Sequence, residues 1–152
     1  MTLFERILVP VDGSRPSDVG TALAIAQAKE SGGEIIFTNI VDVSNILGGI
    51  EYADIDWPAM LQEARDSGER LAENAAADAR AAGVRARTLV LDGPIIDRLV
   101  AAVEESRATV VVMGSHGRGA LARLLRGSTT DGLLRRCPVP VVVAPRGEPR
   151  TG

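Results

Sequence analysis

The sequence predicts an α/β fold built on a five-stranded parallel sheet with helices on both faces. Short apolar runs, of the kind found in strands buried on both faces, alternate with segments of helical periodicity. The predicted order of elements is therefore βαβαβαβαβ. This alternation is typical of a parallel sheet whose connecting helices cover both of its faces.

The first half of the chain alternates between two strands and two helices. The predicted elements are a strand at 7–11, a helix ending at 32–33, a strand at 35–41, a loop at 42–56 and a helix at 57–83. Asp12-Gly13-Ser14 ends the first strand, and Pro16 then fits the first turn of a helix. Gly68 stands inside the second helix, where glycine costs about 1 kcal/mol relative to alanine.

The second half continues the alternation and ends on an edge strand. Its predicted elements are a strand at 85–91, a helix opened by Gly93-Pro94, a strand at 109–113, a loop at 114–127, a helix at 128–136 and a strand at 139–144. The strand at 109–113 is the most apolar, which predicts a central place, whereas the one at 85–91 is typical of an outer strand. Pro140 cannot donate a ladder hydrogen bond, so the last strand is predicted at the sheet edge.

Length and composition predict one domain at residues 1–145, followed by a disordered tail at 146–152. The core should be aliphatic, because hydrophobic residues make up 45% of the chain and aromatic residues only 3%. No apolar run approaches the roughly 20 residues of a membrane span, and the first residues lack a signal-peptide pattern. The single cysteine, Cys137, excludes an intramolecular disulfide and favours a reducing compartment. We therefore expect a cytoplasmic protein with no membrane partner.

Charge is distributed unevenly along the chain. The net charge of −3 disfavours general nucleic-acid binding. Residues 114–136 nevertheless carry five arginines and one aspartate, a net charge of +4. The arginines are Arg118, Arg123, Arg126, Arg135 and Arg136. A locally basic segment in an acidic protein suits an anion site, although the last two arginines are better explained as a solvated helix face.

The same segment follows the most apolar strand and is punctuated by glycines. Gly114-Ser115-His116-Gly117 is followed by nine residues and then by Gly127-Ser128. Glycine lets the main chain approach a ligand closely, and successive backbone N–H groups can then donate to phosphate oxygens. Ser128 can donate its hydroxyl and also cap a helix whose N-terminus favours negative charge. The spacing therefore predicts a loop that binds a polyanion.

Other phosphate-binding motifs do not fit the chain. There is no Walker A motif, and the only lysine, Lys29, falls in the first helix, which excludes a P-loop NTPase. Residues 117–122 formally match the dinucleotide pattern G-x-G-x-x-A. The acidic residue expected after the next strand is missing, because Val139–Ala144 runs into Pro145.

Asp12, His116 and Cys137 are the isolated residues that could carry chemistry. The Asp12 carboxylate could accept a hydrogen bond from a sugar hydroxyl or an adenine amino group, and a turn or helix-capping role is equally open. His116, the only histidine, has no partners for a metal site and no orienting acid, so we assign it a backbone role. Cys137 has no partner for nucleophilic catalysis and is interpreted as a packed thiol.

Three predicted strand ends carry residues suited to a ligand site. Open parallel sheets bind ligands beyond the carboxyl ends of their strands, at the point where the strand order reverses. Asp12 and Gly114 each lie just past the end of a predicted strand, and Val41 lies at the end of one. They can converge only if the first, second and fourth strands are neighbours.

Several segments together resemble the universal stress protein family, over essentially the whole chain. They are Ile7–Ser14, Asn39–Asp42, Gly93-Pro94, Val112–Gly119, Leu124–Ser128 and Cys137–Val143. Gly114, Gly117, Gly127 and Ser128 meet the G-2x-G-9x-G-[S/T] pattern, which is the ATP-binding signature of that family.

The resemblance implies a Rossmann-like fold of the adenine nucleotide alpha hydrolase type, with strand order 3-2-1-4-5. It implies that adenine and ribose lie near Pro10, Val11, Asp12, Ile40 and Met113. It implies that the triphosphate follows Gly114, Ser115, His116, Gly117 and Arg118, and then Gly127, Ser128 and Thr129. Thr129 stands where the family usually has valine, and Gly132 stands where a longer residue is common, but neither departure removes the glycine frame.

The function implied by the resemblance is regulatory. The ligand would be ATP, with AMP or ADP as alternatives and Mg²⁺ held only through the phosphates. The nucleotide would set the state of a stress-response homodimer that pairs through Val139–Val143. We assign no catalytic and no metal-binding residue.

Two alternative functions remain open. One is a slow ATPase or nucleotidyl-transfer enzyme of the same superfamily. Such an enzyme should carry a lysine or an acid–base pair near the phosphates, or an added substrate domain, and the sequence has neither. The other alternative is a dimeric scaffold without nucleotide, against which the intact glycine frame argues.

Overall fold

A computed structural model of the chain describes residues 2–43, 55–114 and 133–145. The strands are β1 (Arg6–Pro10), β2 (Glu34–Val41), β3 (Arg85–Asp92), β4 (Val110–Gly114) and β5 (Val141–Ala144), and the helices are α1 (Arg15–Ser31), α2 (Trp57–Ala81) and α3 (Ile95–Ser106). Residues 133–136 are helical as well. Most of the predicted loops at 42–56 and 114–127, and the predicted tail, lie outside the described residues.

The five strands form one parallel sheet in the order β3-β2-β1-β4-β5. The predicted fold class and strand order are therefore confirmed. β1 stands in the middle of the sheet, and β4 is an interior strand between β1 and β5 rather than the central one. The chain builds one half of the sheet from β1 through β2 to β3, and then crosses over to build the other half from β4 and β5.

Helix α1 begins and ends with capping contacts. The hydroxyl of Ser14 accepts a hydrogen bond from the backbone N–H of Ser17 at 3.3 Å, and a proline lies in the first turn, as predicted. Gly32 ends the helix in the left-handed conformation with a φ of 72°, and its N–H donates to Ala28 O at 2.9 Å. Ser14 therefore caps the amino end of the helix, and Gly32 caps its carboxyl end.

Helices cover both faces of the sheet and create two apolar layers. In one layer, strand residues such as Ile35 and Phe37 pack against α1 and α2. The alanines of α2 at positions 72, 76 and 79 recur every three or four residues, so small side chains form one stripe and let the helix approach the sheet closely. In the other layer, Leu8 and Ile36 pack with Leu99 of α3. The first layer is aliphatic apart from Phe37 and the partly buried Phe4, and the second is aliphatic apart from Met113 and Cys137.

At the amino edge of the sheet, arginine side chains bind carbonyl groups where α3 ends. Arg87 donates to Ser106 O at 3.2 Å, and Arg6 Nε donates to Arg107 O at 2.7 Å. Cationic donors at a helix C-terminus satisfy free carbonyls and complement the helix dipole. The arginines of this edge are therefore engaged in structural contacts.

The last strand is shorter than the sequence predicts. Pro140 was expected inside a strand at 139–144, but β5 begins at Val141, so this boundary is wrong. Pro140 contributes only its carbonyl, which accepts a hydrogen bond from Val111 N–H at 3.0 Å. Within the described part of the chain, β5 pairs with β4 alone, so its predicted edge position is correct.

Candidate functional site

The order of the strands reverses between β1 and β4, and the carboxyl ends of these strands meet at one edge of the sheet. β1 pairs with β2 as far as Pro10 and Thr38, and Val11 N–H continues the pairing by donating to Thr38 O at 2.9 Å. Among the described residues, pairing between β1 and β4 ends at Leu8 and Val111. Along β1, pairing with β4 therefore ends two residues before pairing with β2 does. Open α/β sheets hold ligands at such a reversal.

This edge brings together six of the thirteen residues that the sequence predicts for a nucleotide site. They are Pro10, Val11, Asp12, Ile40, Met113 and Gly114. The condition for their convergence, that the first, second and fourth strands be neighbours, is met. The other seven lie outside the described residues, and they are Ser115, His116, Gly117, Arg118, Gly127, Ser128 and Thr129.

Asp12 follows β1 in a turn that orients its carboxylate. Ser14 N–H donates to Asp12 Oδ1 at 2.9 Å, and Asp12 N–H donates to Ser17 Oγ at 3.2 Å. The turn role left open for Asp12 is therefore observed, Ser14 rather than Asp12 caps α1, and the ligand role of Asp12 stays a prediction. An ionised carboxylate has about four acceptor positions, so Asp12 keeps capacity for a ligand hydroxyl or amino group.

Asn39 of β2 holds the opposite side of the same peptide unit. Its Nδ2 donates to Val11 O at 2.8 Å. The peptide between Val11 and Asp12 is thus bound through its carbonyl by β2 and through its N–H by α1. Asn39 is half-buried against Gly68 of α2, where a β-carbon would overlap Asn39 Oδ1 and stand 3.0 Å from Asn39 Cγ.

Thr38 carries an unsatisfied hydroxyl group below this edge. Its side chain is fully buried, and within the described part of the chain its Oγ1 has no hydrogen-bond partner. Because side chains alternate along a strand, Thr38 lies on the face that carries Ile36 and Ile40. A buried hydroxyl without a partner destabilises the fold by about 1–3 kcal/mol.

An ion pair joins α2 to β3 next to the same edge. Arg65 Nε donates to Asp92 Oδ2 at 2.7 Å, and Arg65 Nη2 contacts the same oxygen. The hydrogen bond to Asp92, together with the negative charge of that carboxylate, raises the pKa of Arg65 above its ordinary value. Beside the pair, Gly93 N–H donates to Val41 O at 3.0 Å, which ties the start of α3 to the end of β2.

The described part of this edge includes the oriented carboxylate of Asp12, apolar side chains and main-chain groups. Ile40 is half-buried and Met113 is buried, and both belong to the layer on the α3 side of the sheet. The thiol of Cys137 is half-buried and packs against the same layer. Within 2–43, 55–114 and 133–145, no group of three His, Cys, Asp or Glu residues could hold a metal ion. No helix in these ranges is long and apolar enough to cross a membrane.

Three residues of this edge are not identified by the sequence analysis: Ser17, Thr38 and Asn39. The available signal was two polar residues at the centre of the apolar run 35–41. Gly68 is unfavourable for its helix, and the close contact between α2 and Asn39 supplies the reason for it.

The strand order, the helices on both faces of the sheet and the reversal between β1 and β4 define a Rossmann-like protein.

The family model described as "Universal stress protein family" matches residues 3–145, and the chain belongs to this family. Universal stress protein MJ0531 from Methanocaldococcus jannaschii is 31% identical over 148 residues, which cover 96% of this chain and 86% of that protein. Three mycobacterial universal stress proteins are 36% identical over 141 residues, and the chain spans 44% of their length.

Solved structures share this fold. The structure of hypothetical protein MJ0577, also from Methanocaldococcus jannaschii, superposes with a TM-score of 0.78 at 21% identity, covering 97% of this chain and 99% of the other. A universal stress protein family protein from Arabidopsis thaliana with AMP bound gives a TM-score of 0.66 at 18% identity, covering 97% and 95%. At these identities the similarity establishes the fold.

Proposed function

We propose that this chain binds an adenine nucleotide at the carboxyl edge between β1 and β4, and that the nucleotide sets the state of a regulatory stress-response homodimer. The ligand is ATP, with AMP and ADP as alternatives. One observation carries the proposal: β1, β2 and β4 are adjacent, so Asp12 and Ile40 lie at the same edge as Gly114, the first glycine of the motif.

In this proposal each part of the nucleotide meets suitable chemistry. Ile40 and Met113 provide apolar contacts for adenine, and Asp12 accepts a hydrogen bond from a ribose hydroxyl or the adenine amino group. Backbone N–H groups of Gly114–Arg118 and Gly127–Thr129 donate to the phosphates. Mg²⁺ is held only through the phosphates.

The comparisons support this ligand class. The Arabidopsis thaliana member of the family has AMP bound. The spacing of Gly114, Gly117, Gly127 and Ser128 is the pattern that the family resemblance associates with ATP. We propose that hydrolysis is absent or slow, because no residue of the motif segment is a convincing general base. Release of phosphate faster than about one turnover per second, a typical enzyme rate, would instead favour the ATPase alternative.

The proposed dimer forms through β5. This strand has an unpaired outer edge among the described residues, and the side chain of Val143 is 45% exposed. An apolar edge strand can pair with the same strand of a second copy across a two-fold axis. Such pairing would extend two five-stranded sheets into one continuous sheet.

Calorimetric titration with ATP, ADP and AMP tests the nucleotide proposal. Wild type should bind at least one of them saturably, and Gly117→Leu should abolish binding because its side chain would occupy the phosphate path. Gly83→Asn is the matched control. Gly83 follows α2 at the amino edge, a β-carbon there meets nothing within 4 Å, and asparagine tolerates its φ of 82°. Absence of saturable heat with the wild-type protein contradicts the proposal.

A further inference from the structure

We infer that Asn39 is a positioning residue for the nucleotide site and that Gly68 of α2 makes this role possible. The inference rests on the proposed nucleotide binding at Asp12. Neither residue belongs to the glycine motif, and neither is among the residues that the sequence predicts to touch the ligand. Asn39 acts on Asp12 through the peptide unit that precedes it.

The geometry of that peptide unit carries the first step. A peptide is planar, so its C=O and N–H groups point in opposite directions. Asn39 Nδ2 holds the Val11 carbonyl at 2.8 Å, and Ser17 Oγ holds the Asp12 N–H at 3.2 Å. Because both ends are bound, the plane cannot rotate, and the direction in which the Asp12 side chain leaves the backbone is fixed. Ser14 then fixes the carboxylate by donating to Oδ1 at 2.9 Å.

The contact with α2 carries the second step. The three heavy atoms nearest to a β-carbon on Gly68 would be Oδ1, Cγ and Cβ of Asn39. Turning the Asn39 amide would relieve the collision, and that movement would break its hydrogen bond to Val11 O. A glycine inside α2 is unfavourable for the helix. The position of this glycine is explained by the space that Asn39 needs.

This arrangement couples α2 to the ligand site. A shift of α2 toward β2 would displace Asn39 and release the Val11 carbonyl, and the Asp12 turn would then be held by α1 alone. A purely structural role for Asn39, in which it only satisfies a carbonyl group, makes a different prediction. In that case its loss would weaken binding whether or not Asp12 is present.

Two double-mutant comparisons distinguish these roles. Asn39→Ala should weaken ATP binding about fivefold, the equivalent of one hydrogen bond, in the wild-type background. The same change should have no effect in an Asp12→Ala background, because Asn39 acts through Asp12. Gly68→Ala should weaken binding to a similar extent although alanine favours the helix, and it should add nothing once Asn39 is alanine.

Thr109→Val serves as the matched structural control. Thr109 Oγ1 donates to Leu3 O at 2.6 Å and accepts from Arg6 N–H at 3.1 Å, so this variant loses hydrogen bonds at the opposite, amino edge. It should lower stability without changing ATP affinity. An Asn39→Ala variant that binds ATP like the wild type, or is weakened equally with and without Asp12, overturns the inference.

Amide hydrogen exchange on the nucleotide-free protein separates this inference from the proposed function. Asn39→Ala and Gly68→Ala should accelerate exchange at the Asp12 and Ser14 amides severalfold, and Thr109→Val should not. If the wild type binds no nucleotide but exchange accelerates as expected, the proposed function fails while the positioning of Asp12 by Asn39 stands. Unchanged exchange at both amides overturns the positioning role, whatever the binding result.

Discussion

Gly20 of α1 lies so close to Gly114 of β4 that a β-carbon on Gly20 would stand 2.9 Å from the Gly114 nitrogen. The next nearest atom, at 3.1 Å, is the carbonyl carbon of Met113. Both are main-chain atoms, which cannot rotate away as a side chain can. Gly114 opens the predicted phosphate-binding motif, so the missing side chain at position 20 determines how closely α1 approaches the start of that motif.

Gly20→Ala should therefore lower both stability and ATP affinity. Overpacking against fixed backbone costs about 1–3 kcal/mol, which exceeds the gain of up to about 1 kcal/mol from helix propensity. Thermal unfolding and calorimetric titration measure the two effects. Ala22→Leu is the control, because Ala22 is exposed on the same helix. A Gly20→Ala protein that melts and binds like the wild type would show that α1 can move freely relative to β4.

Thr38→Val should stabilise the fold by about 1 kcal/mol, because it replaces a buried hydroxyl that has no partner among the described residues with a methyl group of similar shape. The same chemical change at Thr109 should have the opposite sign, because that hydroxyl is hydrogen-bonded to Leu3 and Arg6. Urea unfolding of the two variants provides the comparison. Destabilisation by Thr38→Val would mean that this hydroxyl group has a partner in solution, such as a bound water molecule.

The fold was accessible from the sequence because its signals are local and repeated. Each apolar run, helix stripe and terminal glycine specifies one element, and alternation of elements then restricts the sheet to a parallel arrangement. The apolar pattern does not specify element boundaries. It predicts Pro140 inside the last strand, whereas Pro140 lies just before β5 and pairs only through its carbonyl.

The interior of the candidate site was less accessible because its contacts join residues far apart in the chain. Asp12, Ile40 and Gly114 were predicted from strand ends and from a family resemblance. Asn39, however, donates a hydrogen bond to Val11, which is 28 positions away in the sequence. It also packs against Gly68 of α2, where the helix lies on the sheet. A polar residue in an apolar strand and a glycine in a long helix each look like local imperfections. Only their contact in the folded chain explains both.

Asp92→Asn should have little effect on stability, although it removes the ionic partner of Arg65. Both side chains are partly exposed, and exposed ion pairs contribute little and are screened by salt. Because the pKa of Arg65 is raised in the folded state, the contribution of the pair is fully present below the ordinary pKa of arginine. It is lost only as pH rises through the still higher folded pKa, so it should stay constant from neutral to moderately alkaline pH.

Melting temperatures of Asp92→Asn and wild type at low and high salt measure this effect. The small difference between the two proteins should shrink as salt screens the pair. A loss as large as that of a buried core substitution, independent of salt, would show that this ion pair is essential for docking α2 against β3.

Val143→Lys should convert the proposed β5 dimer to a monomer. In a paired edge, the lysine would be buried without a partner in an apolar interface, whereas in the isolated chain it would remain in water. Val143 is the better site than Val141, because Val141 also packs against the apolar layer on the α3 side and its loss would disturb the core. Leu3→Lys is the matched control: Leu3 is also 45% exposed, but it lies at the amino edge, away from β5.

Light scattering at micromolar concentration should give twice the chain mass for wild type and Leu3→Lys, and a single chain mass for Val143→Lys. A monomeric wild type would mean that β5 does not pair, and a dimeric Val143→Lys would place the interface on another surface.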